Sequence, residues 1–173
     1  MSFPLPRRLP WLLLISLAIF VADRVTKTWV GSHIPIAGAI PDIPGVLRIT
    51  HWLNDGAAFS LFADTASPHT VRWALIIFTC VAALAVLIAL IRLGNRITLT
   101  TIALAFILGG AIGNVHDRIV YGSVVDFIEV HIFTYHWPDF NIADSAIVTG
   151  ACLLVLDSLL AKKQPVAHSE LSR

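Results

Sequence analysis

Two short polar stretches interrupt an otherwise apolar chain, and they hold the side chains best suited to chemistry. One runs from Gly109-Gly110 through Gly113, Asn114, Asp117 and Arg118 and, past Gly122, reaches Asp126; the other is Phe140-Asn141-Ile142-Ala143-Asp144. Two carboxyl groups brought close together do not readily both ionise, so one keeps a proton while the other serves as a base. Such a pair, Asp126 with Asp144, activates water for attack on an amide carbonyl and protonates the leaving amine. Local capping accounts for part of the pattern. Asn141 and Asp144 stand three apart at the start of an apolar run, as in a capping box, and an acid there suits the helix dipole. Capping does not account for Asp126.

The other candidates fall into smaller groups. Asn114 can orient a carboxylate or a carbonyl, while Asp117 and Arg118 read either as a structural ion pair bracing a loop or as part of the site. Gly109-x-x-x-Gly113 admits close approach of a helix or a substrate. Asp23 and Lys27, four apart on one helix face, fit either an intrahelical pair with the lysine snorkelling outward or a place in a substrate groove. Asn54 and Gly56 read as a turn on the same side as the acids. The seven histidines show no H-E-x-x-H or other strong ligand spacing, so no metal is assigned. No serine lies in G-x-S-x-G and no cysteine lies in the connections that hold the acids, which leaves nucleophilic catalysis without a candidate.

The elements that position these residues follow from composition. Only 13% of the 173 residues are charged and 57% are hydrophobic, against roughly 25% charged in soluble domains; the chain is an integral membrane protein. A net charge of +1 leaves no basic surplus for nucleic acid. Cys80 and Cys152 lie inside apolar runs and read as small buried hydrophobes, with the spacing of neither a disulfide framework nor a zinc site.

Four apolar segments, about Leu9–Val30, Val71–Ile91, Ile97–Gly113 and Ile142–Ala161, approach the roughly 20 residues that cross a bilayer as a helix. They lack strand alternation, so four helices are expected rather than a barrel. The first also has the outline of a cleaved signal peptide, but its apolar run continues past the small-residue site and three more spans follow. Arg7-Arg8, Arg92 with Arg96, and Lys162-Lys163 flank the spans on one side, which the positive-inside rule makes cytoplasmic. Both termini then lie in the cytoplasm, and the longer connections 31–70 and 114–141 lie outside with the acids. Residues 1–163 are expected to form one membrane domain, followed by a polar tail, 164–173.

The run Leu47–Leu53 alternates loosely, and Val124–Val130 is also strand-like, so a small β-rich cradle at the outer membrane surface is expected. Asn54-Asp55-Gly56 is turn chemistry, and the apolar residues after it suit a short interfacial helix or loop that could serve as a mobile lid over a substrate. Aromatics Phe133, Tyr135, Trp137 and Phe140 suit the headgroup level.

Taken together, Asp23-x-x-Thr26-Lys27, Asn54-x-Gly56-Ala57-Ala58-Phe59, Gly109-Gly110-Ala111-x-Gly113-Asn114-x-x-Asp117-Arg118, Val125-Asp126-Phe127 and Phe140-Asn141-x-Ala143-Asp144 resemble the motifs of the bacterial lipoprotein signal peptidase (signal peptidase II) family. The resemblance covers nearly the whole chain, with five motifs in order between four spans. It implies an aspartic intramembrane endopeptidase of the inner membrane that cuts prolipoproteins just before a diacylglyceryl-modified cysteine, with no metal or cofactor. It implies Asp126 and Asp144 as the catalytic pair, with Asn54, Gly56, Asn114, Asp117, Arg118, Asn141, Asp23 and Lys27 supporting them or contacting substrate. It further implies inhibition by globomycin and a monomer surrounded by membrane lipid. The rival readings are a small proton-coupled transporter, which would place acids deep within several spans where here only Asp23 and Asp157 lie, and a noncatalytic assembly factor, which gives no reason for two membrane-edge aspartates.

Overall fold

The computed structural model describes residues 5–43, 45–56 and 67–161. Four helices within them are long and apolar enough to cross a membrane: α1 (Leu9–His33), α2 (Pro68–Leu93), α3 (Leu99–Val120) and α4 (Ile142–Ala161). Their ends carry local signals. The Ser67 side chain accepts from Thr70 N at the start of α2, and Thr98 with Thr101 forms a reciprocal capping box at the start of α3. At the other end of α3, Arg72 donates to the carbonyls of Arg118 (2.8 Å) and Ile119 (3.2 Å), placing a cation on the negative end of that helix.

Helix α3 is the axis of the bundle, packing on each of the other three. Small residues permit this. A Cβ on Gly110 would stand 2.3 Å from the Ala143 carbonyl oxygen of α4, and one on Gly109 would stand 2.7 Å from the Ser16 carbonyl oxygen of α1. Close backbone approach of this kind binds helices where lipid removes the hydrophobic drive between them. Ser16 Oγ adds a 2.8 Å hydrogen bond to the Ala105 carbonyl. Outward faces are apolar instead: Phe78, Val81, Leu84, Val148 and Val155 are all more than half exposed. Cys80 and Cys152 lie on these outward faces and are exposed, not buried as expected, because in a bundle solvated by lipid the apolar side chains need not turn inward.

The helices expected from hydropathy are present, with one boundary that matters. Helix α3 continues about two turns beyond Gly113, so Asn114, Asp117 and Arg118 are helical rather than loop residues. Hydropathy ends the span at the first polar cluster, but these polar groups find partners inside the bundle and leave the helix intact.

A four-stranded antiparallel sheet, in the order β1 (Ala39–Ile43), β2 (Leu47–Asn54), β3 (Val124–Ile132), β4 (Tyr135–His136), caps one end of the bundle. The cradle is larger than alternation suggested, since β1 and β4 join it. Strand β2 pairs with β3, so the two long connections are stitched together. Its ladder contains a bulge: Ile49 faces Ile128 and Trp52 faces Asp126, so β2 carries one extra residue there. Val30, Ile34 and Phe127 bury one another between α1 and the sheet, and His51 Nδ1 lies 2.7 Å from the Ile34 carbonyl. The opposite end of the bundle is tied by Arg8 N donating to Gly94 O. The expected interfacial segment falls mostly on residues 57–66, outside the described residues.

Replacing Gly110 by leucine should separate α3 from α4. Overpacking costs about 1–3 kcal/mol and more where backbone is the obstacle, so thermal unfolding in detergent should move down by several degrees. Ile112→Leu, on the exposed face of the same helix, should leave the midpoint unchanged.

Candidate active site

The site grows from a group of charges that the helices bury together. Asp23, Lys27 and Asp117 have side chains between 0% and 1% exposed. Lys27 Nζ lies 2.8 Å from Asp23 Oδ2, 2.8 Å from Asp117 Oδ2 and 3.3 Å from Asn114 Oδ1. Arg24 closes the group with an ion pair to Asp117 and also lies over the Tyr121 ring. Two acids and two bases balance, which is the condition for keeping them in a medium of low dielectric. Lys27 therefore does not snorkel. It reaches inward, because two carboxylates and an amide oxygen offer more than the distant interface. The Asp23–Lys27 pair suggested by sequence is formed, but the Asp117–Arg118 pair is not: Asp117 pairs with Arg24 and Lys27, and the Arg118 Nε is buried without a hydrogen-bond partner among the described residues. Adjacent residues on a helix point about 100° apart and seldom meet, which is why the sequence neighbour loses.

This buried group orients the polar residues above it. Asp23 Oδ1 accepts from Ala143 N (3.0 Å) and so anchors the first turn of α4 against α1. Asn114, held at its oxygen by Lys27, donates through Nδ2 to Asp144 Oδ1 (2.7 Å). Asn141 joins both candidate acids. Its Nδ2 donates to Asp126 Oδ1 (2.7 Å), its Oδ1 accepts from Asp144 N (2.9 Å), and its own backbone N donates to Asp144 Oδ2 (3.3 Å). The capping reading of Asn141 and Asp144 is thus realised, and the same asparagine also reaches Asp126.

Asp126 arrives from the sheet. It is 3% exposed, and its second oxygen accepts from Asn54 Nδ2 (2.9 Å) on the neighbouring strand β2. Asn54 is fixed in turn by Gly56 N, which donates to its Oδ1 (2.8 Å). Gly56 has φ +91°, a backbone conformation that favours glycine, and a Cβ there would also displace the Leu75 Cδ1 methyl 2.5 Å away. Burial pushes the Asp126 carboxyl up to about 6; the Asn54 and Asn141 hydrogen bonds oppose that rise and the nearby Asp144 carboxylate adds to it.

Asp126 and Asp144 open on one cavity of about 530 Å³ between the sheet and the first turns of α4, bounded also by Asn54, Trp137, Asp139 and Val148. Its volume lies within the range of small-ligand pockets. Arg118 lies within electrostatic reach of Asp144, Asp126 and Asp117 and donates weakly to the Asn114 carbonyl (3.5 Å). The structure thus brings together all ten residues singled out from sequence, with Gly56 and Asp23 acting through Asn54 and Ala143. Two participants were missed. Arg24 is a third charge inside the first span, beside Asp23 and Lys27, and ionisable groups in a span are themselves a signal. Asp139 lines the cavity and accepts from Thr50 Oγ1 (2.8 Å); burial raises its carboxyl above the ordinary value. Nothing in its spacing marked it.

The family model described as Signal peptidase (SPase) II matches residues 15–160. The chain belongs to the signal peptidase II family. It is accordingly an enzyme, a peptidase of the aspartic class. It is 45% identical over 157 residues to a lipoprotein signal peptidase of Pseudomonas putida, with 90% of each chain covered, and 42% identical to one of Pseudomonas aeruginosa, covering 90% of this chain and 91% of that one. Among solved structures, a bacterial membrane enzyme determined by the in meso method at 2.3 Å superposes with a TM-score of 0.79 at 28% identity, covering 94% of this chain and 95% of that chain.

Removing the ammonium at Lys27 would leave two acids facing each other across a dry interior. For Lys27→Met the loss expected from breaking a buried ion pair is about 3–5 kcal/mol, read as a fall in the thermal midpoint in detergent. Arg24→Gln, at a side chain 18% exposed, should cost less than half as much. Equal losses at the two positions would overturn the central place given to Lys27.

Proposed function

We propose that this chain removes signal peptides from prolipoproteins, cutting before the diacylglyceryl-modified cysteine, with Asp126 and Asp144 as the catalytic pair. Family membership and the names of the relatives support the activity and do not favour a proton-coupled transporter. One observation carries the assignment of the pair: two carboxyls from different elements open on one cavity and are linked through one residue, Asn141, whose Nδ2 donates to the Asp126 carboxyl and whose backbone N donates to that of Asp144.

Their surroundings divide the labour. Asp126, buried in the sheet with its carboxyl raised to about 6, holds the proton. Asp144, at the positive end of α4 and hydrogen-bonded by Asn114, serves as the base. Its carboxylate takes a proton from water as the water oxygen bonds to the scissile carbonyl carbon. Asp126 gives its proton to the carbonyl oxygen as the tetrahedral intermediate forms. When the C–N bond breaks, the proton held by Asp144 passes to the leaving amine of the lipidated cysteine, and Asp126 recovers its own from the gem-diol. Arg118 offers positive charge beside this centre. Asn54, Gly56, Asn114, Asn141, Asp117, Asp23 and Lys27 hold the two acids in place.

Residues 1–163 act as one membrane peptidase domain in the cytoplasmic (inner) membrane, as a monomer among lipids. The basic flanks put both termini in the cytoplasm and the cavity at the outer face. An acyl-anchored substrate presents its lipidated residue at headgroup height, where these acids stand. Globomycin, by the family resemblance, inhibits the enzyme.

Purified protein should cut a diacylglyceryl-modified prolipoprotein immediately before the cysteine, in the presence of chelator. Asp126→Asn and Asp144→Asn, each with an unchanged unfolding midpoint, should be at least about 10³-fold slower, since removing a member of a catalytic set costs that much or more. Near-normal turnover by either folded variant would reduce that residue to a structural cap.

The pH dependence has a defined sign. A raised carboxyl pKa means that the protonated form prevails below about 6 and is lost above it, so the cleavage rate should decline through and above that value, approaching tenfold per unit. The apparent constant belongs to the coupled pair. A rate that stays flat from pH 6 to 8 would show that the proton of Asp126 is not the one used.

A further inference from the structure

On the sheet, away from the two catalytic acids, three potential ligand side chains converge on the β3–β4 hairpin. Glu129 and His131 are two apart on β3 and so share a face, and His136 on β4 is the cross-strand partner of His131. Alternation puts this face opposite the one that carries Asp126, and none of the three residues lines the catalytic cavity. One donor atom from each lies within 4.8 Å of the others. The His131 Nε2 to Glu129 Oε1 distance is 3.0 Å and the His136 Nδ1 to Glu129 Oε1 distance is 3.9 Å. At ordinary zinc bond lengths, ligand atoms of a tetrahedral site stand roughly 3.3 Å apart.

We propose that Glu129, His131 and His136 form a binding site for a divalent transition metal of the zinc class, separate from the aspartic pair. Among the described residues His131 Nε2 is buried and has no aligned hydrogen-bond partner, although Glu129 Oε1 is close. A buried imidazole nitrogen facing a carboxylate out of line leaves room for an ion that both can ligate. Arg48 lies 3.3 Å from Glu129 Oε2 and fixes the carboxylate so that its other oxygen faces the imidazoles. The hairpin itself is held by His131 N donating to Val46 O (2.8 Å) and Trp137 N donating to Val130 O (2.9 Å). Two imidazoles and a carboxylate suit zinc, nickel or cobalt rather than magnesium or calcium, and they leave a fourth position for water.

One adjustment is needed. The two imidazoles are stacked, with centroids 4.1 Å apart and planes at 21°, so their nitrogens do not yet aim at one point. The side chain of His136 is 64% exposed, and turning that ring closes the site without disturbing the strand. The ion would then fasten β4 to β3 immediately before Trp137, Pro138 and Asp139, which form a wall of the catalytic cavity. The chemistry at Asp126 and Asp144 does not pass through it.

The test uses the full chain in detergent, purified without a polyhistidine tag and stripped with chelator. After equilibration with Zn²⁺ and gel filtration, one zinc per chain should remain, and Co²⁺ should give the visible absorption of a low-coordinate site. His136→Ala and Glu129→Gln should each weaken binding at least tenfold, since even outer-shell partners are worth about 10–100-fold. His33→Ala, at the exposed end of α1, should bind as the unaltered chain does. Zn²⁺ should also raise the thermal midpoint of the unaltered chain and not that of His136→Ala, which checks that a lost site is not a lost fold. No retained metal, or equal retention by a His131→Ala/His136→Ala double variant, would overturn the proposal.

Discussion

The ammonium group of Lys27 is the point from which the rest of the site takes its geometry. A lysine with 1% of its side chain exposed inside a membrane bundle survives only because acceptors on two helices close around it. Those acceptors are the same groups that hold the upper residues. Asp23 grips the backbone of α4, and Asn114 points its amide at Asp144 because its oxygen faces Lys27. Electrostatic necessity at the bottom of the site becomes side-chain orientation at the top.

The two acids differ because they come from different kinds of structure. Asp144 opens a helix, where backbone N–H groups and the dipole favour a negative group. Asp126 lies in a strand that packs against α1, where two carboxamides are its direct donors and burial opposes charge. An aspartic pair needs inequality, with one proton between two similar groups. In the proposed pair the inequality comes from placing one carboxyl on a helix end and the other in a sheet.

Much of this was legible in the chain, for identifiable reasons. Helices in lipid announce themselves by uninterrupted apolar length, and polar residues at their ends stand out against that background, so Asp126, Asp144, Asn114 and Asn141 could be found and grouped. The end of α3 could not be found that way. Polar residues look like a terminus to hydropathy, whereas Asn114 and Asp117 are paid for by partners from α1 and α4 that no local pattern contains. The same applies to Lys27, whose inward direction depends on Asp117, ninety positions away. Asp139 is not legible because a single charge beside a motif carries no period and no spacing, whereas Arg24 carries the weaker signal of any charge inside a span. Strands β1 and β4 are short, and β1 contains Pro41, so pairing with β2 and β3 rather than sequence preference makes them strands.

The bulge in β2 acts as a counting device. Were the ladder regular from the Ile49–Ile128 pair onward, position 53 would stand opposite position 124, and Leu53 rather than Asn54 would share a face with Asp126. The extra residue resets the parity of the strand, and with it whether an amide or a leucine meets the buried carboxyl. Part of the active-site specification is therefore written in chain length and not in residue type. A gain or loss of one position between Ile49 and Asn54 that left the ladder otherwise intact would be felt at the acid as sharply as a substitution of Asn54 itself.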